Sequence, residues 1–536
     1  LCTSRVVYTP PTELYTGEDS FSYTVDDGLG NYSPSSAIVS LMVVEGNTPP
    51  TAVPGSATVS TAVPMTIELT ATDPDYYADA VYELTDRLSF FIQNPPTYGT
   101  LSEPELLDCD ILGVGSIECK GSVLYTPDPG TTATADSFTF YVNDTHQNSS
   151  AATVDLELRA PITWAINATD DVVDTNGCDA THCSLREAVE AAATGDIIEF
   201  DLSTPATIVL NGNDILIDKD LIINGPGAGL LAISGGADVN DPAPWEHDRV
   251  FTIGQEWDGV SISVTISDLT IRDGRSESGG GVIIYHGSTL TMNDCVIGPN
   301  NIVTYAGGGI FNNGGTLNLN RCTVTGNEGT GSLGGAGVTT VEGVTTLVNS
   351  TVSGNVTNNF GGGIYVNNGG MVRLIHTTVS GNIANADHDV VGESRGGGAG
   401  VYVDEWGHAE IKNSIIAGNT DLTDPLIAEH EKWPDVYGAV SSLGGNLIGD
   451  PTGALYGWDP SDLVGTQTSP FDPVLGLLQV NDPGATQTMA LLAESPAIDA
   501  VSCPAEVVTD QRGVARPQGD LCDIGAYELV QAVTYG

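Results

Sequence analysis

The sequence predicts an all-β protein: a right-handed parallel β-helix, plugged by a short N-terminal capping helix and preceded by β-sandwich domains. Three observations carry this. A block ending in a β-branched residue recurs at Ile271, Ile297, Val324, Val352, Val379 and Ile416, in steps of 26, 27, 28, 27 and 37 residues, which marks a solenoid. Two blocks in the first 160 residues repeat at a fixed offset of 117, which marks a duplicated domain. Gly accounts for 65 of the 536 residues while only 16% are charged, as many short strands joined by tight turns require.

The duplicated blocks come first in the chain. Val7-Tyr8-Thr9-Pro10 precedes Asp19 to Asp27, and Leu124-Tyr125-Thr126-Pro127 precedes Asp136 to Asp144. Phe21, Tyr23 and Val25 alternate with small polar residues, the period of a half-buried strand. Asp26-Asp27-Gly28 then turns the chain, and 37–44 reads as the closing strand. Thr48-Pro49-Pro50 is a linker. Residues 47–160 are long enough for a complete domain, whereas 1–46 hold only the last strands of one. Such a half sandwich exposes strand edges, so its other half lies upstream or comes from another chain.

The β-helix body spans 161–480. Ser184 and Glu187 form a capping box, and Leu185, Ala188, Val189 and Ala192 make one apolar stripe. This short helix plugs the open first coil. Each later coil cannot bury its apolar face alone, so stacked coils share a core of aligned Ile and Val. After each strand an Asn recurs, at Asn300, Asn327, Asn355, Asn382 and Asn419, expected as a stacked ladder at a left-handed corner. A Gly-rich run then opens the next strand, as at Gly307-Gly308-Gly309. Cys295 and Cys322 share one inward column with Leu269, Ser350, Thr377 and Ser414, open to either a thiol stack or a bridge. The longest step contains an insertion at 384–395 with Asp387, His388, Asp389 and Glu393. A second departure, at 420–445, holds His430 and Trp433. Insertions in a solenoid go to loops on one face.

The blocks of the first 160 residues resemble bacterial Ig-like or cadherin-like domains. That resemblance implies Ca²⁺ at acidic turns, with Asp26, Asp27, Asp73, Asp75 and Asp144 as ligands beside Asn143; backbone-capping Asx turns are the plain alternative. Residues 183–201 resemble the CSLREA module of bacterial surface β-helices. Leu221 to Ala228 and Ser442 to Gly449 fit the same family. Ser495-Pro496-Ala497-Ile498-Asp499-Ala500, Asp510-Gln511-Arg512-Gly513 and Cys522 to Glu528 resemble the choice-of-anchor Q domain, giving a C-terminal cap over 481–536. Where that family has Gly-Gly-Pro, this chain has Asp482-Pro483-Gly484. The resemblance implies a large exported surface protein. With no anchor after 536, the anchor has been removed or assembly holds the protein in place.

A net charge of −53 repels phosphate backbones and anionic lipid heads, so neither nucleic acid nor a membrane surface is an expected partner. No stretch is apolar enough to span a bilayer. The chain begins with Leu, as a processed or truncated secreted protein would. Cysteine spacing does not fit zinc fingers. It fits local disulfides in an oxidising compartment, Cys109/Cys119, Cys178/Cys183 and Cys503/Cys522, with Cys2 left over.

β-helices also carry polysaccharide-cleaving sites, which need two carboxylates or carboxylates with a base. The best such column is Asp268, Asp294, Arg321, Asn349, His376 and Asn413, with Asp268, Asp294, Arg321 and His376 as the chemistry-bearing members. A solvated polar corner is the plainer reading. No Ser/His/Asp triad or phosphate-cradling loop occurs. The expectation is therefore a non-catalytic, extracellular structural or adhesive protein. It requires no cofactor, Ca²⁺ at the acidic turns being the one candidate ion, and partners further copies of itself in a filament or surface layer. Strand addition in trans between the half sandwich and a strand at 526–534 would join the copies. The alternative is a polysaccharide lyase or hydrolase, or a binder of surface glycans, marked by stacked aromatics and paired acids on one face.

Overall fold

A computed structural model describes residues 17–25, 33, 36–43, 48–74, 88–113, 116–145, 147–236, 249–256, 261–331, 334–386, 397–423 and 432–530. Asp26, Asp27, Asp75, Asp387, His388, Asp389, Glu393, His430 and Cys2 lie outside them. The chain divides into two compact units, Leu1–Ala160 and Pro161–Gly536.

In the first unit, β1 (Gly17–Tyr23) pairs antiparallel with β2 (Ala37–Val43) as a two-stranded sheet. Residues 51–159 form a sandwich. One sheet joins Gly55–Ser60, Ala152–Arg159, Ala135–Asn143 and Ser89–Asn94. The other joins Thr51–Val53, Met65–Asp73, Ser116–Pro127 and Gly99–Leu101, with Glu105–Gly113 also on Ser116–Pro127. Strict alternation sends every second residue of Ala152–Arg159 inward, as a sheet with one wet face demands. Tyr125, Phe138, Phe140, Leu69 and Ile117 fill the space between the sheets. The Tyr125 hydroxyl donates to the Asp136 carboxylate at 2.9 Å, so the buried ring keeps its polar end satisfied.

The second unit is a parallel β-helix. Each coil runs through up to four strands that stack into four parallel sheets. Sheet I has ten strands from Thr163–Ile166 to Val440–Ser442, and sheet II ten from Ala206–Val209 to Leu463–Val464. Sheet III has six, from Arg275–Ser278 to Thr420–Asp421, and sheet IV eight, from Ile215–Ile217 to Val436–Tyr437. Ile271, Ile297, Val324, Val352, Val379 and Ile416 pair in register along sheet II. Their side chains are fully buried in one core that runs from Ile166 to Ile448.

The first coil is plugged by α1 (Leu185–Ala191), whose N-cap Ser184 and Glu187 exchange both bonds of a capping box. Leu185, Ala188, Val189 and Ala192 seal the core against Ile166 and Ile198.

The C-terminal region is not a lid on the last coil. After an antiparallel hairpin of Leu475–Val480 and Gln487–Leu491, residues 492–529 return along the flank of the β-helix. Gln511 Nε2 donates to the Cys322 carbonyl at 3.2 Å and its Oε1 accepts from Thr351 Oγ1 at 2.6 Å. The Gly525 amide donates to the Asn413 carbonyl at 2.8 Å and the Ala526 amide to Thr378 Oγ1 at 3.0 Å. The expectation of a docking strand at 526–534 is corrected accordingly. Residues 526–530 have no strand geometry and Ala526 is buried against its own chain; 531–536 lie outside the described residues.

Candidate functional site

Two corners of the coil carry most of the residues singled out in the sequence. Between sheets I and II a single residue turns the chain. That residue is Asp268, Asp294, Arg321, Asn349, His376 or Asn413, all with φ between 47° and 59°. The column is thus a left-handed corner, where one polar residue per coil is held by its neighbours. The residue after it points inward: Leu269, Cys295, Cys322, Ser350, Thr377 and Ser414 are all fully buried. Hydroxyls in this inner column accept from the coil before them, Ser350 Oγ from the Cys322 amide at 3.1 Å and Ser414 Oγ from the Thr377 amide at 3.1 Å. Cys295 and Cys322 are free buried thiols rather than a bridge. Burial raises the Cys295 thiol well above its ordinary range, which makes it inert.

The chemistry-bearing members of the corner are tied up. Arg321 grips Asp294 with two bonds, Nε–Oδ1 at 2.9 Å and Nη2–Oδ2 at 2.5 Å. Asp268 stands next along, its carboxyl raised first by burial and then by the Asp294 charge. His376 does not join them. It is buried beneath the returning C-terminal segment and hydrogen-bonds Asn413 at 2.9 Å. Burial, then the Arg516 charge, pushes its imidazole down to about 3. Asn349 likewise donates to the Thr509 carbonyl at 2.8 Å. The corner therefore splits into a half-buried ion pair and a covered half.

Between sheets II and III lies the ladder, one residue from where the spacing put its first rung. Asn300 is exposed with φ 61° and reaches only Asp273. It occupies the left-handed position filled by Gly326, Gly354, Gly381 and Gly418 in later coils. The rung is Asn301, fully buried, which donates to Asn327 Oδ1 at 2.9 Å. Asn327, Asn355 and Asn382 continue the chain at 2.8–2.9 Å to Asn419. Each rung also donates to a backbone carbonyl of the preceding coil, as Asn355 does to Val324 at 3.0 Å. The run ends on Asp435, whose Oδ1 accepts from the Asn419 side chain at 2.8 Å and from its amide at 3.1 Å. A terminal rung has no onward acceptor to supply, and a carboxylate needs none. Its second oxygen takes the Asp450 amide. A Cβ on Gly309 would stand 2.9 Å from the Asn327 amide nitrogen and 2.6 Å from the Gly337 carbonyl, which is why the third glycine of that run has no side chain.

The motif residues at the C-terminus are structural in kind. Arg516 is buried and pairs with Glu528 at 2.7 Å. Arg512 is held by Asp510 at 2.8 Å and lies 3.6 Å over the Tyr527 ring. The pairs Cys109–Cys119, Cys178–Cys183 and Cys503–Cys522 are disulfides.

Among the acidic turn residues, Asp73 ends its strand and is buried. Asp144 Oδ1 accepts the Gln147 amide at 2.6 Å and Asn143 Oδ1 accepts that of Thr145 at 2.7 Å, the geometry of an Asx turn.

A further feature is an aromatic column on the outer side of sheet IV, at the position after the first residue of each strand. Tyr365, Tyr402 and Tyr437 pair in register, with ring centroids 5.6 and 4.6 Å apart. Phe360 and Trp433 flank it at 4.7 and 4.3 Å. The rings are mostly buried, so their first role is packing. Beside this column Tyr305, Phe311, Asn313, Val341, Asn367 and Asn368 line an open groove of about 410 Å³.

Residues 47–157 match the family model of the bacterial Ig domain. No curated protein matches the chain. A bacterial Ig domain suggests a surface or adhesion protein, and together with three disulfides it fits an extracellular one. No helix among the described residues is long and apolar enough to cross a membrane.

Proposed function

We propose that this protein is a non-catalytic, extracellular structural or adhesive element that associates with further copies of itself through its first β-hairpin. The observation that carries this is β1–β2. Among the described residues this sheet has only two strands, an arrangement marginal in water by itself, and Ile38 is 71% and Tyr23 48% exposed. Strand addition or face-to-face packing by a second copy covers both the edges and these side chains. Because 526–530 is folded onto its own β-helix, the donor is another strand, and a β1–β2 pair from a second copy meets that need. Ca²⁺ at the acidic turns of the first unit would stiffen this assembly. Sedimentation and electron microscopy of the chain test it, with and without a chelator. Concentration-dependent oligomers that vanish on deletion of residues 1–46 are expected, and dispersed monomers at high concentration refute the proposal.

A second reading, glycan binding, is favoured by the groove at Tyr305. It combines an exposed aromatic ring with three Asn amides, the groups that stack on and hydrogen-bond to a neutral sugar. No carboxylate pair lines it, so it would bind rather than cleave. Neutral-glycan arrays with a Tyr305→Ala control test this.

A further inference from the structure

The loop that leads into α1 carries a mixed cluster that the corner chemistry does not use. Asp174, His182 and Glu187 each present one ligand-type atom, all within 4.8 Å of one another. The imidazole is oriented from its far side, where Nε2 lies 3.1 Å from Asp170 Oδ1. An N–H there leaves Nδ1 with a lone pair. That Nδ1 is buried and has no hydrogen-bond partner, although it stands 3.0 Å from Glu187 Oε2 and 3.8 Å from Asp174 Oδ2. The 3.0 Å approach is close but out of line for a hydrogen bond.

A cation between these atoms accounts for the arrangement. Two ligands about 2.0–2.1 Å from one tetrahedral ion sit ~3.3 Å apart, and the two observed separations bracket that value. The carboxylates are held for the task. Glu187 accepts the Ser184 and Asp174 amides at 2.9 and 2.7 Å. Asp174 Oδ1 takes the Asn176 and Gly177 amides, which turns Oδ2 toward the imidazole. The Cys178–Cys183 disulfide closes the loop beside them. A carboxylate on the remote ring nitrogen is the usual second partner of a metal-bound histidine. The His182 side chain is 24% exposed, so the ion has an entry path and water can complete its coordination.

We propose that Asp174, His182 and Glu187 bind a divalent transition-metal ion of the Zn²⁺ class, oriented by Asp170, which staples the loop to the capping helix. Imidazole nitrogen among the ligands favours such an ion over Ca²⁺, which takes oxygen. The contrary account is an imidazolium clamped by three carboxylates with no metal.

Titration calorimetry of the full chain, stripped with chelator and then given Zn²⁺, decides between them, with Co²⁺ absorption as a second readout. One site is expected in the wild type. It should be lost in His182→Gln and in Asp174→Asn, and weakened 10–100-fold in Asp170→Asn, which only positions the ring. Using two ligand variants guards against one that fails to fold, judged by circular dichroism. No Zn²⁺ binding by the wild type, or identical isotherms in wild type and folded ligand variants, overturns the proposal. Ca²⁺ binding with the same stoichiometry and the same sensitivity to His182→Gln overturns the choice of ion.

Discussion

Asn300 and Asn301 are chemically identical neighbours with opposite environments, so replacing each with Ala weighs the ladder directly. Asn301 Nδ2 donates to the Ile271 carbonyl at 3.2 Å and to Asn327 at 2.9 Å, and its Oδ1 accepts the Gly274 amide at 2.9 Å. Truncation strips partners from three buried groups. At ~1–3 kcal/mol for each group left wholly unsatisfied, and less where a second partner remains, the loss is about 3–5 kcal/mol. Asn300→Ala loses one exposed bond and the ease with which Asn holds φ 61°, together about 1 kcal/mol. Asn300→Gly holds that φ freely and should lie within about 0.5 kcal/mol of wild type. Urea unfolding gives the global values. Amide exchange resolved by coil gives the local ones, which matter because repeat arrays need not unfold in one step. Equal losses for the two Ala variants, or a larger one at Asn300, would refute the ladder register and the reasoning built on it.

Other expectations follow from the buried charges. Burial raises the Asp435 carboxyl to about 6, above its unfolded value of about 3.9. The protonated form is therefore favoured by folding: this contribution is full below about pH 4 and is lost as pH rises through 6. Melting temperature measured from pH 4 to 7 should fall more steeply in wild type than in Asp435→Asn. His376 has the opposite sign. Its folded value of about 3 lies below the unfolded one, so stability present above about pH 6.5 is lost on acidification, by at most ~1.4 kcal/mol per pH unit. His376→Gln should flatten that acid limb. Arg516→Met leaves Glu528 buried without its partner, at a cost of about 3–5 kcal/mol. Limited proteolysis should then cut within 492–529 before the coils, and the double variant Arg516→Met/Glu528→Gln should recover part of the loss.

Much of the architecture was legible because it is periodic. The Ile271-to-Ile416 register, the plug at Ser184–Glu187, the inner column and the three local disulfides all stand where spacing and capping chemistry placed them. The failures have a common physical origin, namely contacts between residues far apart in sequence. Counting favours the first Asn of a pair, Asn300, as the rung; the structure uses that position as Gly326 is used and moves the rung to Asn301. Asp435 escapes the periodic pattern because it follows Asn419 by only 16 residues, outside the period. His376 looked like a base in an open corner, since no local signal announces a segment arriving from 148 residues away. The Asp174/His182/Glu187 cluster is nearly local, but Glu187 reads first as the capping-box residue, which hides its second partner His182.

The returning C-terminal segment changes how the β-helix can come apart. A stack of coils bound only to their neighbours melts by fraying from either end. Here Gln511 fastens the coils of Cys322 and Thr351, Gly525 and Ala526 fasten those of Asn413 and Thr378, and Arg516 anchors the strap between them. The coils from 321 to 447 are thereby lashed into one cooperative block, while those from 196 to 297 rely on stacking and on the plug of α1. A tether attached beyond residue 530 would first meet the strap, so tension would peel it away before any coil opened. That makes the strap a mechanical fuse placed ahead of the body it protects.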